Sequence, residues 1–391
     1  MLHLLHLNVT LVISRCQVIL GGKYYGYYNQ TSSYSYYRYH CCCCIRWVNC
    51  ESYYEPFVRG HNVWREFPMR KERKSTKIMF IFICILAFII SFVSSAIFKM
   101  TYQPKWAKKY SIDWNDSIGT IYKDLSYGDN ASNKFDLYVP KDNSKENYGL
   151  IVYLHAGGFT SGDKSDDAAI LEWLCSKGYV TAGINYTLRT NENDASVYSQ
   201  SMDIKEAIPV VVEEAKKLGY NLNEMVISGG SAGGTLAMLY AYRDAEESPI
   251  PVKMMFEMVG PSSFFAEDWD NYGLDKNNEA AAGLFALMVG TEIDKDVIGT
   301  TELQEIMKPI SGYAWVNEKS VPSVIAYGKY DKICPYKTVA HLVNALKENN
   351  VDYQYFEAPH SGHGLQNDNK VYEAFMDTVV NYLDKYMPVE N

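Results

Sequence analysis

Gly229, Gly230, Ser231, Ala232 and Gly233 fit the pattern G-x-S-x-G, in which a serine sits on a tight strand-to-helix turn and its neighbours must be small enough for close approach. The context matches the letters: MVIS (225–228) before it reads as a strand and TLAMLYAY (235–242) after it as an apolar helix. A serine hydroxyl is a weak nucleophile at neutral pH, so it needs a base to take its proton, and the base needs an acid to orient it. Asp331 follows the apolar run SVIAYG in YGKYDKICP, which puts a carboxylate in a loop beyond the end of a strand. His363 follows YQYFEAP in PHSGHG, flanked by Gly362 and Gly364, which let a loop bend towards the serine. His360 competes for the same role, but directly follows Pro359 at the strand's end, so His363 is the preferred base.

Negative charge developing on a tetrahedral intermediate needs N–H donors already in place. The run His155-Ala156-Gly157-Gly158 follows the apolar strand LIVYL and leaves backbone N–H groups uncovered by side chains. Gly157, Gly158 and Ala232 are therefore assigned as an oxyanion hole, with His155 as a brace for its loop. For each motif the structural alternative is a glycine turn that only redirects the chain or a solvated loop carboxylate. The body's histidines are His155, His341, His360 and His363, with no H-x-x-x-H pair, no phosphate-binding G-x-x-x-x-G-K-[ST] loop and no dinucleotide fingerprint. The expectation is chemistry without a metal or other cofactor, with His341 structural in an amphipathic helix.

These residues need a scaffold, and the chain past residue 105 alternates apolar, β-rich runs with helical patterns, the grammar of an α/β fold with a mostly parallel sheet flanked by helices. Strands are expected at Thr120–Leu125, Phe135–Val139, Leu150–Leu154, Val180–Asn185, Met225–Ser228, Val252–Met258, Val324–Tyr327 and Tyr353–Phe356. Helices are expected at Ala168–Ser176, Ser199–Leu218, Lys337–Lys347 and Lys370–Tyr386. Ser262 to Lys319 breaks the alternation and reads as a helical, cap-like insertion over the site, before the strand that leads to Asp331.

The motifs HAGGF, GGSAGG, YGKYDKICP and PHSGHG together resemble the hormone-sensitive-lipase-like branch of the α/β-hydrolases, over nearly all of Lys105–Asn391. Within that branch the chain is more similar to bacterial esterases, including the feruloyl-esterase-like group, than to long-chain lipases. The resemblance implies an α/β-hydrolase fold and a serine esterase that cleaves carboxylic esters through an acyl-enzyme on Ser231. Ala156 replaces the first glycine of the family's HGGG, and Gly230 replaces the acidic residue many relatives carry before the nucleophile. Asp203 matches a family aspartate on a helix, for which a structural role is expected. A peptidase or amidase on the same fold is the nearest rival, and an inactive, membrane-tethered binding protein the rival from another class.

The 391 residues divide by charge: residues 1–104 carry 12 Lys+Arg and 4 Asp+Glu, a net +8, and the remainder 25 and 42, a net −17. So acidic a body repels polyanions, which argues against nucleic acid as a partner and leaves a small ester as the expected one. Seven of nine cysteines precede residue 105, so no disulfide framework holds the body. Residues 78–98 (IMFIFICILAFIISFVSSAIF) form an uncharged run long enough to cross a bilayer, and the basic segment 69–77 before it predicts a cytoplasmic N-terminal flank. The catalytic domain, 105–391, is then expected outside the cytoplasm, either anchored or, if the segment is cut, secreted. Residues 1–68, with a Tyr-rich run and adjacent Cys41 to Cys44, fit no globular pattern and read as disordered or spurious, with Met69 as the expected start. Oligomeric state has no signature in the sequence.

Overall fold

The computed structural model describes residues 74–101 and 108–389. The expectations for residues 1–68, for Met69 and for most of the basic segment lie outside these. The chain divides into two units, residues 1–87 and 88–391. Helix α1 (Lys74–Thr101) contains the apolar stretch Ile78–Ile97, 20 residues of mean hydropathy 2.8, long and apolar enough to cross a membrane. Phe82, Phe88 and Phe92 on it are exposed.

The body is built on one eight-stranded sheet. Its strands are β1 (Gly119–Ser126), β2 (Lys134–Pro140), β3 (Tyr148–Leu154), β4 (Val180–Ile184), β5 (Leu222–Gly230), β6 (Val252–Met258), β7 (Ser323–Gly328) and β8 (Tyr353–Ala358). They lie in the order β1-β2-β4-β3-β5-β6-β7-β8. Only β2 runs against the rest, pairing antiparallel with both β1 and β4; all pairs from β4 to β8 are parallel. This is the α/β-hydrolase fold the sequence motifs imply.

Both faces of the sheet are covered, which is why its central strands read as unbroken apolar runs rather than alternating ones. In β3 the side chains of Leu150, Val152 and Leu154 enter one core and those of Ile151 and Tyr153 the other. Helices α3 (Val197–Lys217), α4 (Ala232–Leu239) and α7 (Thr338–Glu348) cover the first face, and α2 (Ala168–Cys175) and α8 (Asn369–Tyr386) the second. Helix α3 starts two residues before the sequence expectation. Ser196 and Ser199 form a reciprocal capping box that satisfies the first free N–H groups.

The segment from Ser262 to Lys319 holds α5 (Asn278–Val289), α6 (Thr301–Met307) and several single 3-10 turns. Its Phe264, Trp269 and Phe285 are buried in the same core as the sheet, stacked or edge-on to one another at 5.6–6.3 Å. On the other face Phe375 of α8 is fully buried and meets Phe356 of β8 edge-on at 6.0 Å. Phe375→Ala should lower the unfolding free energy by about 3–5 kcal/mol, measured by urea denaturation; a loss under about 1 kcal/mol would contradict this packing.

Candidate active site

Strand β5 ends at Gly230, and Ser231 follows at φ 54° and ψ −119°, a conformation that side chains rarely adopt. Two contacts impose it. The Ser231 N–H donates to the Met258 carbonyl at 2.8 Å, and the first turn of α4 abuts the end of β3. A Cβ on Gly233 would stand 2.0 Å from the Leu154 carbonyl oxygen and 2.7 Å from that of His155. Only glycine fits at position 233, so the motif's second glycine reports backbone-on-backbone packing.

The structure brings Ser231, Asp331 and His363 together. His363 Nε2 lies 2.9 Å from Ser231 Oγ, and His363 Nδ1 lies 2.7 Å from Asp331 Oδ2. Because Asp331 can only accept while ionised, Nδ1 carries the proton and Nε2 is left to accept from the serine hydroxyl. The Asp331 side chain is fully buried, and its other oxygen accepts from the N–H groups of Ile333 and Cys334 at 2.8 and 3.0 Å. Tyr330 N–H donates to the Ser361 carbonyl at 2.9 Å, tying the loop of the acid to the loop of the base.

His360 lies elsewhere. Its ring is 77% exposed, and Asp368 holds both its Nδ1 and its backbone N–H at 2.9 Å. Asp368 also accepts from the Ser361 hydroxyl at 2.6 Å, so the pair staples the base's loop. Asp368, eight residues after His360, was not singled out in the sequence; no signal short of the loop's own geometry marks it.

Gly157 and Gly158 turn directly after β3 at φ 125° and 60°. The N–H groups of Gly157, Gly158 and Ala232 have no acceptor among the described residues, and a Cβ on Gly158 would meet nothing within 4 Å, so the loop is open at Gly158. The loop is held from behind. The Phe159 carbonyl accepts from Gln200 Nε2 at 2.8 Å and from Arg189 N–H at 3.0 Å, and Phe159 itself has φ 67°. Gln200, fully buried on α3, is a support that the sequence reading missed, because nothing in its local pattern separates it from an ordinary helix position.

His155 stacks on Tyr186 with ring centres 4.3 Å apart, and its Nδ1 donates to the Ala156 carbonyl at 2.7 Å. Burial pulls its pKa below the usual histidine value, so it braces the loop as a neutral ring. Asp203 accepts from Thr187 N–H at 2.7 Å, and His341 Nε2 pairs with Asp268 at 2.7 Å. The insertion meets the acid's loop: Asn271 Nδ2 and the Tyr272 hydroxyl donate to the carbonyls of Lys332 and Ile333 at 2.9 and 2.8 Å.

A serine hydroxyl in contact with an imidazole that is itself held by a carboxylate, together with amide N–H groups that have no acceptor among the described residues, is an arrangement able to carry out acyl transfer. Residues 135–346 match the model of the BD-FAE family. Among curated proteins the chain is similar to "Esterase LipC" of Mycobacterium tuberculosis, 22% identical over 250 residues, covering 61% of this chain and 58% of that protein. The chain thus spans less than two thirds of that relative's length. Among solved structures it is similar to a truncated carbohydrate esterase from gut microbiota, with a TM-score of 0.56 and 18% identity over 70% of this chain and 98% of that one. A thermophilic esterase of Thermogutta terrifontis gives a TM-score of 0.54 and 21% identity, over 68% and 94% of the two chains.

Proposed function

The chain belongs to the BD-FAE family, and from that membership and the geometry around Ser231 we propose that it is a serine hydrolase of carboxylic esters. The observation that carries the reading is the continuous relay of Asp331, His363 and Ser231 at 2.7 and 2.9 Å. His363 takes the proton of Ser231 as the hydroxyl attacks the ester carbonyl. The N–H groups of Gly157, Gly158 and Ala232 receive the oxyanion, and His363 then protonates the leaving alkoxide. Water, activated by the same histidine, releases the acid from the acyl-serine. Every proton moves between Ser231, His363, the leaving group and water, and Asp331 stays ionised, steadied by the N–H groups of Ile333 and Cys334.

The substrate class we assign is a short acyl ester, on a simple alcohol or a carbohydrate; the similar proteins named as esterases, one of them a carbohydrate esterase, support its ester and carbohydrate parts. The insertion 262–319 is tied to the loop of Asp331 through Asn271 and Tyr272. Helix α1 anchors the chain in a membrane with the body, residues 105–391, outside the cytoplasm, a reading supported by its length, its apolar composition and the basic residues before it.

The test is a rate profile on p-nitrophenyl esters of increasing acyl length beside the matched anilides, with Ser231→Ala as the control. Turnover should be fastest on acetate and butyrate, fall by about tenfold or more by the long-chain esters, and vanish in the variant. A preference for the anilides would make the enzyme an amidase. For the anchor, alkaline extraction should leave the chain in the membrane pellet; full release into the supernatant would show the segment to be cut or not to insert.

A further inference from the structure

Glu257 is fully buried near the end of β6, opposite Gly229 of β5 in the sheet register. Three segments of the site converge on its carboxyl. Gly234, in the first turn of α4, approaches so closely that a Cβ there would stand 2.8 Å from Oε2. The Gly260 N–H donates to the same oxygen at 2.9 Å. Tyr327 of β7, four residues before Asp331, donates its hydroxyl proton to the Gly260 carbonyl, so Glu257 and Tyr327 hold the two sides of the same residue. The second oxygen, Oε1, is buried and receives no hydrogen bond.

The turn that Glu257 closes through Gly260 supports the nucleophile. Its Met258 carbonyl accepts from Ser231 N–H, and its Val259 N–H donates to Ala326 of β7 at 2.9 Å. Val259 sits at φ 54°, a conformation that a β-branched residue takes only when its surroundings impose it. Proton counting then selects the state of the carboxyl. Oε2 has a donor in the Gly260 N–H, whereas Oε1 has none among the described residues. A carboxylate would leave Oε1 charged and unpaired in the interior, a cost that the neutral acid avoids.

We propose that Glu257 is a positioning residue for Ser231, acting as a neutral acid that locks the turn between the nucleophile and the strand leading to Asp331. Burial raises its pKa to about 8, against the opposing pull of the Gly260 N–H. The titratable groups that face it are Tyr153 of β3, Tyr242 beyond α4, Tyr327 of β7, Cys334 of the acid's loop and Tyr355 of β8. None is a cation, and burial raises the pKa of each, so none offsets a charge on Glu257. Ionisation therefore loosens the turn and slows acylation of Ser231. The proposal rests on the hydrolytic reading of Ser231.

The experiment compares the full chain with Glu257→Gln and Glu257→Ala, recording kcat, KM and melting temperature from about pH 5 to about pH 10 on p-nitrophenyl butyrate. In the unfolded chain the carboxyl ionises near its ordinary value of 4.5, whereas the folded chain keeps the proton to about 8. Wild-type stability should therefore fall as pH rises between these values, and kcat should fall above the upper one. Glu257→Gln retains an acceptor for the Gly260 N–H and, like the neutral acid, carries no charge. It should hold kcat within about threefold at neutral pH, lose the alkaline fall and flatten the melting curve. Glu257→Ala should lower kcat about tenfold with KM nearly unchanged. A folded Glu257→Gln with the wild-type alkaline fall, or a folded Glu257→Ala with wild-type kcat, would overturn the proposal. If Glu257→Ala does not fold, the comparison of wild type with Glu257→Gln decides. Absence of ester turnover in the wild type is a failure of the hydrolytic reading and shows separately, because the melting curves need no substrate.

Discussion

His363→Ala should lower kcat on a short-chain ester by about 10⁵- to 10⁶-fold, and Ser231→Ala by a similar factor, with melting temperatures close to wild type. The two act as one unit, so the double variant should be scarcely slower than either single one. Without His363 the Ser231 hydroxyl keeps its proton, since the described residues offer its Oγ no other hydrogen-bond partner. Asp331→Asn should cost about 10⁴-fold, because an amide presents no second acceptor to hold Nδ1–H and the ring loses its useful tautomer. His360→Ala is the control that separates this reading from its competitor. With its ring exposed and turned to Asp368, its loss should change kcat by about twofold or less. A fluorophosphonate probe gives a second readout: it should label wild type and His360→Ala at Ser231 and fail on Ser231→Ala. Loss of activity in His360→Ala with retention in His363→Ala would reverse the assignment.

Gly157→Ala should lower kcat by about 10²- to 10³-fold while leaving KM within a few-fold, the range for losing an oxyanion donor. The reason is steric and local. At φ 125° a side chain is strained whatever the space, and here a Cβ would stand 1.8 Å from the Ser161 carbonyl oxygen. That carbonyl belongs to the same loop, which is closed by hydrogen bonds from Thr160 and Ser161 back to Gly157 at 3.2 and 3.1 Å. Relief of the clash must open the loop and carry the N–H groups of Gly157 and Gly158 away from the serine. The sheet beneath, with His155 held by Tyr186, stays in place, so the variant should fold. Steady-state kinetics beside circular dichroism would check it. Wild-type kcat in a folded Gly157→Ala would place the oxyanion donors elsewhere.

What was legible in the sequence is what local chemistry writes there. The turn at Ser231 is announced by its glycines because a Cβ at Gly233 would strike the backbone of Leu154; steric exclusion of that kind fixes residue type at a position. The buried strands show as apolar runs because both faces of the sheet are covered, and Asp331 shows as an aspartate just past a strand end. Apolar length marks Ile78–Ile97 for the same reason of local composition. Other features are set by partners distant in the chain, and no local pattern records them. Ser231 and His363 are 132 positions apart, and the choice between His363 and His360 is made by where Asp331 and Asp368 stand once the sheet has formed. The reversed direction of β2, the merging of the insertion's Phe264, Trp269 and Phe285 with the main core, and the buried carboxyl of Glu257 belong to the same class. Glu257 reads in sequence as one more charge of an acidic body. Only the packing of α4, β6 and β7 around it removes water, strips it of cations and turns a common surface residue into a buried acid beneath the nucleophile.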